Sequence, residues 1–283
     1  MTAKPIKIVI AGINGRMGRA SAALIHADHD LELIGAVGRP GAAYVGQDVA
    51  KMTNSGSAGI LVSNEIKDLL TGTKADVLLD FSLSESAFEH AQLALANNVR
   101  PVIGTSGLGE EQINTIAKLA DSKRLGAMVV PNFSVGAVLM MEFARQAGGF
   151  FANAEIVEMH HTKKVDAPSG TAMHTVAKMA KSGNTFNKKE VDEKELLTGA
   201  RGGEGTAGVR VHSLRLPGLI SHQEVIFGGA GELLTIRHDS FNTDCFLNGI
   251  ALAVKAVVNL DHFVLGLEQV LNISGTERVT AKA

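Results

Sequence analysis

The sequence predicts an α/β protein: an N-terminal Rossmann-type domain with a doubly wound parallel sheet, then a C-terminal α+β domain with a mixed or antiparallel sheet. Three observations support this fold class. Short apolar runs alternate with amphipathic helical segments over residues 6–130. A glycine-rich turn follows the first apolar run. In the second half, three extended segments follow one another without a helix between them, which is typical of antiparallel or mixed sheets.

The N-terminal elements follow from the spacing of apolar residues. Ile6 to Ala11 is too short for a helix and rich in β-branched residues, so it predicts a strand. Apolar residues then recur at helical spacing from Met17 to Ile25 and predict a helix. The same reasoning predicts strands at Leu31–Val37, Ile60–Val62, Asp76–Phe81, Val102–Ile103 and Ala127–Val130, helices at Glu65–Leu70, Ser84–Asn97 and Glu110–Ala120, and a polar loop at Lys51–Ser57.

The pattern changes after Pro131, where strands and helices no longer alternate regularly. A charged segment, Lys188–Leu197, is predicted to be a surface helix. The other predicted elements are helices at Val135–Gln146, Thr171–Lys181 and Phe246–Val258, and strands at Glu155–Met159, Val209–Leu216, Ser221–Phe227 and Glu232–His238.

Length and composition limit the classes of function. A chain of 283 residues suggests about two domains. Lys and Arg number 27 against 29 Asp and Glu, and this net charge of −2 argues against a nucleic-acid partner. No apolar run reaches about 18 residues, and the first residues lack the features of a signal peptide, so we expect a cytoplasmic protein without a membrane span. The single cysteine, Cys245, excludes a four-cysteine zinc site, and no metal is expected.

The glycine-rich turn reads Gly12-Ile13-Asn14-Gly15-Arg16-Met17-Gly18. Glycines in such a turn let backbone N–H groups approach a pyrophosphate at the N-terminus of the following helix. The spacing is G-x-x-G-x-x-G instead of the commoner G-x-G-x-x-G, and a glycine-rich turn alone is weak evidence. Its position between a strand and a helix favours a dinucleotide site over a simple turn.

The end of the second predicted strand bears on the choice of cofactor. An NAD site usually has Asp or Glu there to accept a hydrogen bond from the adenosine ribose. This chain has Gly38 and Arg39 instead. Arg39 can face the 2′-phosphate of NADPH with a charge-assisted hydrogen bond, which predicts a preference for NADPH over NADH. A solvated loop arginine is the alternative.

The segment from Glu158 to Ala172 concentrates polar chemistry between a predicted strand and a predicted helix. His160, His161, Lys163 and Lys164 can supply a proton donor and a cationic surface for an anionic substrate. The sequence Ser169-Gly170-Thr171 at a helix start offers hydroxyls and free N–H groups to a carboxylate. A solvent loop is the plainer interpretation of the histidine pair.

Four segments together resemble the dihydrodipicolinate (4-hydroxy-tetrahydrodipicolinate) reductase family of bacterial lysine biosynthesis. They are Gly12–Gly18, Gly104–Leu108, Pro131–Gly136 and, most specifically, His160–Ala172, and the similarity extends from Lys7 to about Ala253. The resemblance implies the NAD(P)H-dependent reduction of 4-hydroxy-tetrahydrodipicolinate, a small dicarboxylate, to tetrahydrodipicolinate in the diaminopimelate pathway. It also implies a homotetramer assembled through the C-terminal sheet. The implied domains are a dinucleotide-binding domain of residues 1–133, on which residues 243–283 pack back, and a substrate-binding and oligomerisation domain of residues 134–242.

The resemblance also implies roles for individual residues. His160 is a proton donor or acceptor and Lys164 is the proton donor, while His161, Gly170 and Thr171 contact the substrate; the helix-start argument adds Ser169 to these substrate contacts. In addition to Arg39, the implied cofactor contacts, for NADPH or NADH, are Gly12, Ile13, Asn14, Gly15, Arg16, Met17, Gly104, Thr105, Ser106, Val130, Pro131, Asn132 and Phe133.

Two departures from the family pattern limit this transfer. The glutamate that many members have at the ribose is Gly38 here, and an arginine that some members have near the last strand is Thr243. Any contact made by that arginine is lost unless Arg237 or another group replaces it.

Two rival functions remain open. The first is a dehydrogenase of amino acids or aldehydes, which is disfavoured for the semialdehyde type because that type needs a catalytic cysteine and Cys245 is far from the nucleotide loops. The second is a non-enzymatic NAD(P) sensor, which needs no cluster from His160 to Lys164.

Overall fold

The structure is a computed structural model that describes residues 4–53, 59–105 and 107–271. The chain divides into two compact units, of which unit 1 comprises residues 1–134 and 246–283, and unit 2 comprises residues 135–245. The elements in chain order are β1 (Ile6–Ala11), α1 (Arg16–Ala27), β2 (Leu31–Val37), α2 (Val49–Thr53), β3 (Val62–Ser63), α3 (Ile66–Gly72), β4 (Val77–Asp80), α4 (Ser84–Ala96), β5 (Arg100–Ile103), α5 (Glu110–Lys123), β6 (Ala127–Val129), α6 (Val135–Ala147), β7 (Asn153–His160), α7 (Gly170–Ala180), β8 (Gly203–Glu204), β9 (Arg210–Arg215), β10 (Ser221–Gly229), β11 (Glu232–Ser240), α8 (Leu247–Val257) and β12 (Phe263–Leu265).

Unit 1 contains a seven-stranded sheet in the order β12-β6-β5-β4-β1-β2-β3, in which all paired strands are parallel. All four residues of β4 are buried, as expected for a central parallel strand covered on both faces. The chain order reverses between β1 and β4, and ligands of such sheets bind beyond the carboxyl ends of the strands at this point.

Helix α8 is part of unit 1 and packs against α1. Lys255 places its Nζ 2.9 Å from an Asp28 carboxylate oxygen and 2.8 Å from Asp30, next to the end of α1. Gly249 permits a close approach, since a Cβ at this position would lie 2.8 Å from the carbonyl carbon of Phe133. The following strand, β12, pairs with β6 and was not predicted from the sequence.

Unit 2 contains a five-stranded sheet in the order β11-β10-β7-β9-β8. Strand β10 is antiparallel to β7 and β11, whereas β7 and β9 are parallel, so the sheet is mixed. Alternate residues of β7 face a core that also contains residues of α6 and α7. The parallel sheet and the mixed sheet together confirm the fold class that the sequence predicts.

Two local predictions were wrong. Lys188–Leu197 forms no helix; Leu196 is 91 % exposed and Leu197 75 % exposed, so the segment has no apolar face to bury. It is held by side chains instead, because Glu195 accepts hydrogen bonds from the N–H groups of Gly199 and Arg201. The predicted loop at Lys51–Ser57 begins inside α2, and residues 54–58 lie outside the described residues. Within the described ranges, no helix is both long and apolar enough to cross a membrane.

Candidate active site

The glycine-rich turn of unit 1 requires two of its glycines for steric reasons. Gly12 has φ of +77°, and a Cβ there would lie 2.8 Å from the carbonyl carbon and oxygen of Phe81, the residue after β4. A Cβ on Gly18 would lie 2.8 Å from the Cα of Ile13. The Gly12 N–H donates to the carbonyl of Val37 at 3.1 Å, which ties the turn to the end of β2. These residues therefore fix a tight turn that larger side chains would disrupt.

The turn leads directly into α1, whose first N–H groups are open to a ligand. Gly15 is the N-cap and provides no side-chain acceptor, and the first turn contains no acidic residue. The first hydrogen bond of the helix runs from the N–H of Arg19 to the carbonyl of Gly15. Asn14, Gly15 and Arg16 are exposed, so this helix start can accept an anionic group such as a pyrophosphate.

The loop after β5 packs against two phenylalanines. A Cβ on Gly104 would lie 2.7 Å from the rings of both Phe81 and Phe133, whose rings meet edge to face at 5.9 Å. Thr105 donates its hydroxyl to the Ser82 carbonyl at 2.6 Å, which joins the loops that follow β4 and β5. The predicted contact residue Ser106 lies outside the described residues.

The last predicted cofactor segment follows β6. Val130 and Phe133 are buried, and the Val130 N–H donates to the carbonyl of Ile103 at 2.8 Å. Pro131 is exposed and Asn132 half-buried, so these two residues offer the accessible groups of the segment.

Asp80 was missed in the sequence. It is fully buried at the carboxyl end of β4, where it accepts hydrogen bonds from the N–H of Ser82 at 2.7 Å and from its hydroxyl at 2.5 Å. Its second oxygen contacts Nδ1 of His90 on α4 at 2.8 Å. Asp80 therefore holds the turn against which Gly12 packs; an acidic residue ending an apolar strand was the available signal.

The end of β2 shows why no carboxylate follows it. The ring of Tyr44 and the side chain of Val62 occupy the space next to Gly38, where a Cβ would lie 3.0 Å from Val62 Cγ1. The N–H of Arg39 donates to the Tyr44 hydroxyl at 3.1 Å. The Arg39 side chain is exposed, and its guanidinium contacts no acidic group among the described residues.

In unit 2, two residues near the end of β7 form a buried hydrogen-bonded pair. Glu158 is fully buried and His160 is 8 % exposed, with Nδ1 of His160 2.5 Å from a Glu158 carboxylate oxygen. Burial lowers the pKa of His160 below its ordinary value of 6.5, and the charges of Lys164 and Arg215 add to this, although Glu158 opposes it. His160 is therefore neutral near pH 7 and can exchange a proton with a ligand.

Arg215, at the end of β9, also was missed in the sequence. Its two terminal nitrogens lie 2.8 and 3.0 Å from the two carboxylate oxygens of Glu158, and one also donates to the carbonyl of Asp166 at 2.8 Å. Burial raises the pKa of Glu158, but hydrogen bonds from Arg215, Ser213 and His160 outweigh burial and hold that pKa below its ordinary value. Glu158 is therefore an anion.

The two lysines that follow are not equivalent. Lys164 is half-buried and donates from Nζ to the Asp166 carboxylate at 2.7 Å, whereas Lys163 is exposed. This hydrogen bond lowers the pKa of Asp166, which is therefore an anion that holds the ammonium of Lys164 in place. His161 is exposed at the start of the same loop.

The start of α7 presents backbone N–H groups to which an anion can bind. Ser169 is the N-cap: its hydroxyl oxygen accepts from the N–H of Ala172 at 3.2 Å, and its own N–H donates to Glu158 at 3.3 Å. Among the described residues the N–H groups of Gly170 and Thr171 have no acceptor. Gly170 is exposed and Thr171 half-buried, so a carboxylate can reach both.

Arg237, which the sequence offers as a replacement for the family arginine at the position of Thr243, forms ion pairs on the sheet of unit 2. Arg237 pairs with Glu224 and, at 2.9 Å, with Asp239. It is in register with Glu224 and, through it, with Val157 of β7. Because side chains alternate along a strand, Arg237 faces the side of the sheet opposite to Glu158 and His160. No group of three His, Cys, Asp or Glu side chains suited to a metal occurs in the part of the chain that the structure describes.

The two units therefore define a Rossmann-fold protein with a nucleotide turn in unit 1 and a cluster of ionisable side chains on the mixed sheet of unit 2. Comparison with known proteins is more specific. Residues 6–133 match the N-terminal domain of dihydrodipicolinate reductase and residues 136–271 match its C-terminal domain. The chain belongs to the dihydrodipicolinate reductase family, and the resemblance seen in the sequence is confirmed.

Individual relatives agree along nearly their whole length. The chain is 45 % identical to a 4-hydroxy-tetrahydrodipicolinate reductase from Geobacillus kaustophilus over 94 % of this chain and 99 % of the relative. It is 42 % identical to one from Synechococcus elongatus over 95 % of this chain and all of the relative. A dipicolinate-bound dihydrodipicolinate reductase from Paenisporosarcina sp. TG-14 superposes with a TM-score of 0.85 at 39 % identity, covering 94 % of this chain and 99 % of that one.

Proposed function

We propose that this chain catalyses the NAD(P)H-dependent reduction of 4-hydroxy-tetrahydrodipicolinate to tetrahydrodipicolinate in the diaminopimelate route to lysine. The observation that carries this proposal is the grouping, on one loop of unit 2, of His160, Lys164 and the open helix start at Gly170 and Thr171. Membership of the reductase family and the likeness to a dipicolinate-bound relative support it. In the reaction the 4-hydroxyl group and a hydrogen of the neighbouring ring carbon are lost as water, the hydride adds to the conjugated imine that remains, and one proton returns to the ring.

Unit 2 binds the substrate in this proposal. The substrate has two carboxylates, and the N–H groups of Gly170 and Thr171 and the side chain of His161 offer hydrogen bonds to them, while the buried Ser169 caps the helix that presents these N–H groups. Lys164 is held by Asp166 and donates the proton that the reduced ring requires. His160, which is neutral near pH 7, exchanges a proton or a hydrogen bond with the substrate.

Unit 1 binds the cofactor, and a bound NAD(P)H supplies the hydride. The residues fit a dinucleotide, because Gly12 and Gly18 leave no room for a Cβ beside the uncapped start of α1. Arg39 is free to pair with the 2′-phosphate of NADPH, and Gly38 provides no acceptor for the ribose of NADH. The enzyme therefore prefers NADPH.

The assembly we propose is a homotetramer formed through the sheet of unit 2. On the sheet face opposite to Glu158 and His160, the strands present Val157, Met159, Leu214 and Leu233, of which Leu233 is 77 % exposed. Light scattering measures the molar mass of the particles formed by the purified protein and by its Leu233→Asp variant.

We place the reaction in the cytoplasm, where reduced nicotinamide cofactors are regenerated.

The activity is tested by generating the cyclic substrate in place from pyruvate and aspartate semialdehyde and following the loss of NADPH absorbance. Oxidation that requires the complete mixture supports the proposal. Cofactor oxidation with a plain aldehyde or amino acid but not with the cyclic substrate would favour a different dehydrogenase. Cofactor binding without turnover of any substrate would favour a sensor.

A further inference from the structure

The geometry points to Glu158 as a positioning residue that fixes His160 as the tautomer with hydrogen on Nδ1, which leaves Nε2 as a proton acceptor for the substrate. The inference rests on the proposed function, since it assigns His160 one of the two roles that remain open for it. It also separates the roles of His160 and Lys164, because a histidine held in this form accepts a proton or hydrogen bond and Lys164 alone donates.

The first step of the argument is the hydrogen bond between the two buried side chains. Nδ1 of His160 lies 2.5 Å from the Glu158 carboxylate. An ionised carboxylate can only accept, so the hydrogen belongs to Nδ1. In a neutral imidazole the other nitrogen, Nε2, then carries a lone pair, and it has no partner among the described residues.

The second step is that Arg215 keeps Glu158 ionised and in place. A forked pair with both carboxylate oxygens, at 2.8 and 3.0 Å, is geometrically demanding and fixes the orientation of the carboxylate. A neutral Glu158 would leave the guanidinium of Arg215, which is 19 % exposed, without its charge partner, and this is unfavourable away from water. The carboxylate therefore stays charged over the pH range in which His160 titrates.

The third step is that the same carboxylate and the same arginine connect the three parts of the substrate loop. Glu158 accepts the N–H of Ser169, the N-cap of α7, and Arg215 donates to the carbonyl of Asp166, whose carboxylate holds Lys164. His160, Lys164 and the helix start thus share one buried ionic anchor. A change at Glu158 therefore acts on the chemistry through His160 and on the loop through Arg215.

The charges that act on His160, together with its burial, keep its imidazole neutral. Glu158 from its own strand favours protonation, while Arg215 from β9 and Lys164 from the loop oppose it, and burial opposes it most strongly. During turnover Lys164 Nζ gives a proton to the reduced ring and becomes a neutral amine, which then recovers a proton from solvent. His160 Nε2 meanwhile accepts a hydrogen bond from the substrate and ends the cycle neutral.

The test uses nitrogen NMR of the full-length protein with labelled histidine, the His160 signals being assigned by their loss in His160→Gln. We expect wild-type His160 at pH 7 to show a protonated Nδ1 and an unprotonated Nε2. Glu158→Gln should shift the signals towards the other tautomer and lower kcat by about tenfold to a hundredfold. The KM for the cyclic substrate should change by a smaller factor than kcat.

The matched control is Glu155→Gln on the same strand. Glu155 also contacts a histidine and an arginine, His212 at 2.7 Å and Arg201 at 2.8 Å, but it faces the other side of the sheet. The Glu155→Gln variant should leave both kcat and the NMR signals of His160 unchanged. Glu158→Asp, which keeps the charge, should retain more of kcat than Glu158→Gln.

The outcomes are decisive even if Glu158→Gln does not fold. A wild-type His160 that is protonated on Nε2 at pH 7 overturns the inference without any variant. Equal loss of kcat in Glu155→Gln and Glu158→Gln would also overturn the inference, because both losses would then reflect a general loss of protein stability. The NMR result does not depend on turnover, so a protein that shows the expected tautomer but does not reduce the cyclic substrate contradicts only the proposed function.

Discussion

The ring of Tyr44 fills the space that a side chain on Gly38 would occupy, and its hydroxyl accepts the N–H of Arg39. The tyrosine thus takes the volume in which dinucleotide sites for NAD place a carboxylate. It also fixes the backbone of the arginine that follows. The absence of an acidic residue at this strand end is therefore built into the packing of the loop.

Arg39 is expected to give a preference for NADPH. A charge-assisted pair with the 2′-phosphate contributes roughly 1.5–3 kcal/mol, or about ten- to a hundredfold in kcat/KM. Arg39→Ala should narrow the preference mainly by raising the KM for NADPH, and added salt should narrow it in the wild type because an exposed pair is screened. Arg124→Ala, which removes another exposed arginine of unit 1, is the control. Equal kcat/KM for both cofactors in the wild type would show that Arg39 does not reach the phosphate.

Gly38→Glu is not expected to create an efficient NADH enzyme by itself. The new side chain would overlap the Tyr44 ring and approach Val62, so the loop must shift and thermal stability should fall. Gly38→Glu combined with Tyr44→Ala should restore the room and raise kcat/KM for NADH relative to NADPH. Steady-state kinetics with both cofactors and thermal melts check this. A clear switch to NADH in the single variant would mean that Tyr44 moves aside freely.

Lys164→Ala should lower kcat by on the order of 10² to 10⁴, the usual contribution of a positioned acid, with NADPH affinity nearly intact. Lys163→Ala is the matched control and should be much milder, because Lys163 is exposed while Lys164 is held by Asp166. The measurements are kcat with the cyclic substrate and the Kd for NADPH. If the two variants lose activity equally, or Lys163→Ala loses more, the catalytic lysine has been assigned wrongly.

A planar dicarboxylate such as pyridine-2,6-dicarboxylate should inhibit competitively with the substrate. Thr171→Val should weaken its binding by roughly 1–2 kcal/mol, the scale of one hydrogen bond to a charged group. Thr71→Val on α3, whose hydroxyl donates to the carbonyl of Lys67, should leave the inhibition constant unchanged. Inhibition that is unaltered in Thr171→Val would remove Thr171 from the substrate site.

The buried pair His160 and Glu158 should make stability rise with pH. His160 has a pKa below 6.5 in the folded protein, so the unfolded chain binds its proton first as pH falls, and the free energy of unfolding decreases below about pH 6.5. Glu158, with a pKa below 4.5, adds stability that is present above its unfolded pKa and is lost as pH falls through its lower folded pKa. Urea unfolding of the wild type and of His160→Gln between pH 4 and pH 8 measures this. If the free energy of unfolding falls by the same amount between pH 7 and pH 5 in both proteins, His160 is excluded as the source of this pH dependence.

Much of this protein is determined by local sequence. Apolar runs such as Ile6–Ala11 fix buried parallel strands, and Gly12 and Gly18 specify the nucleotide turn because no other residue fits there. The substrate loop is contiguous from His160 to Thr171, so its chemical composition can be identified without a structure. The helix predicted at Lys188–Leu197 is absent and shows the limit of this reasoning, since a charged segment does not by itself have an apolar face to bury.

Tertiary structure alone decided which of these groups interact. Arg215 reaches Glu158 across 57 positions because β9 pairs in parallel with β7, and nothing local to either residue indicates this ion pair. Tyr44 fills the space beside Gly38 only because the intervening loop folds back on β3. Periodicity reports which face of an element is buried, whereas the partner of a buried charge depends on strand register. The sequence therefore determined the fold class and the chemistry of the site, and the sheet of unit 2 decided how His160 is held.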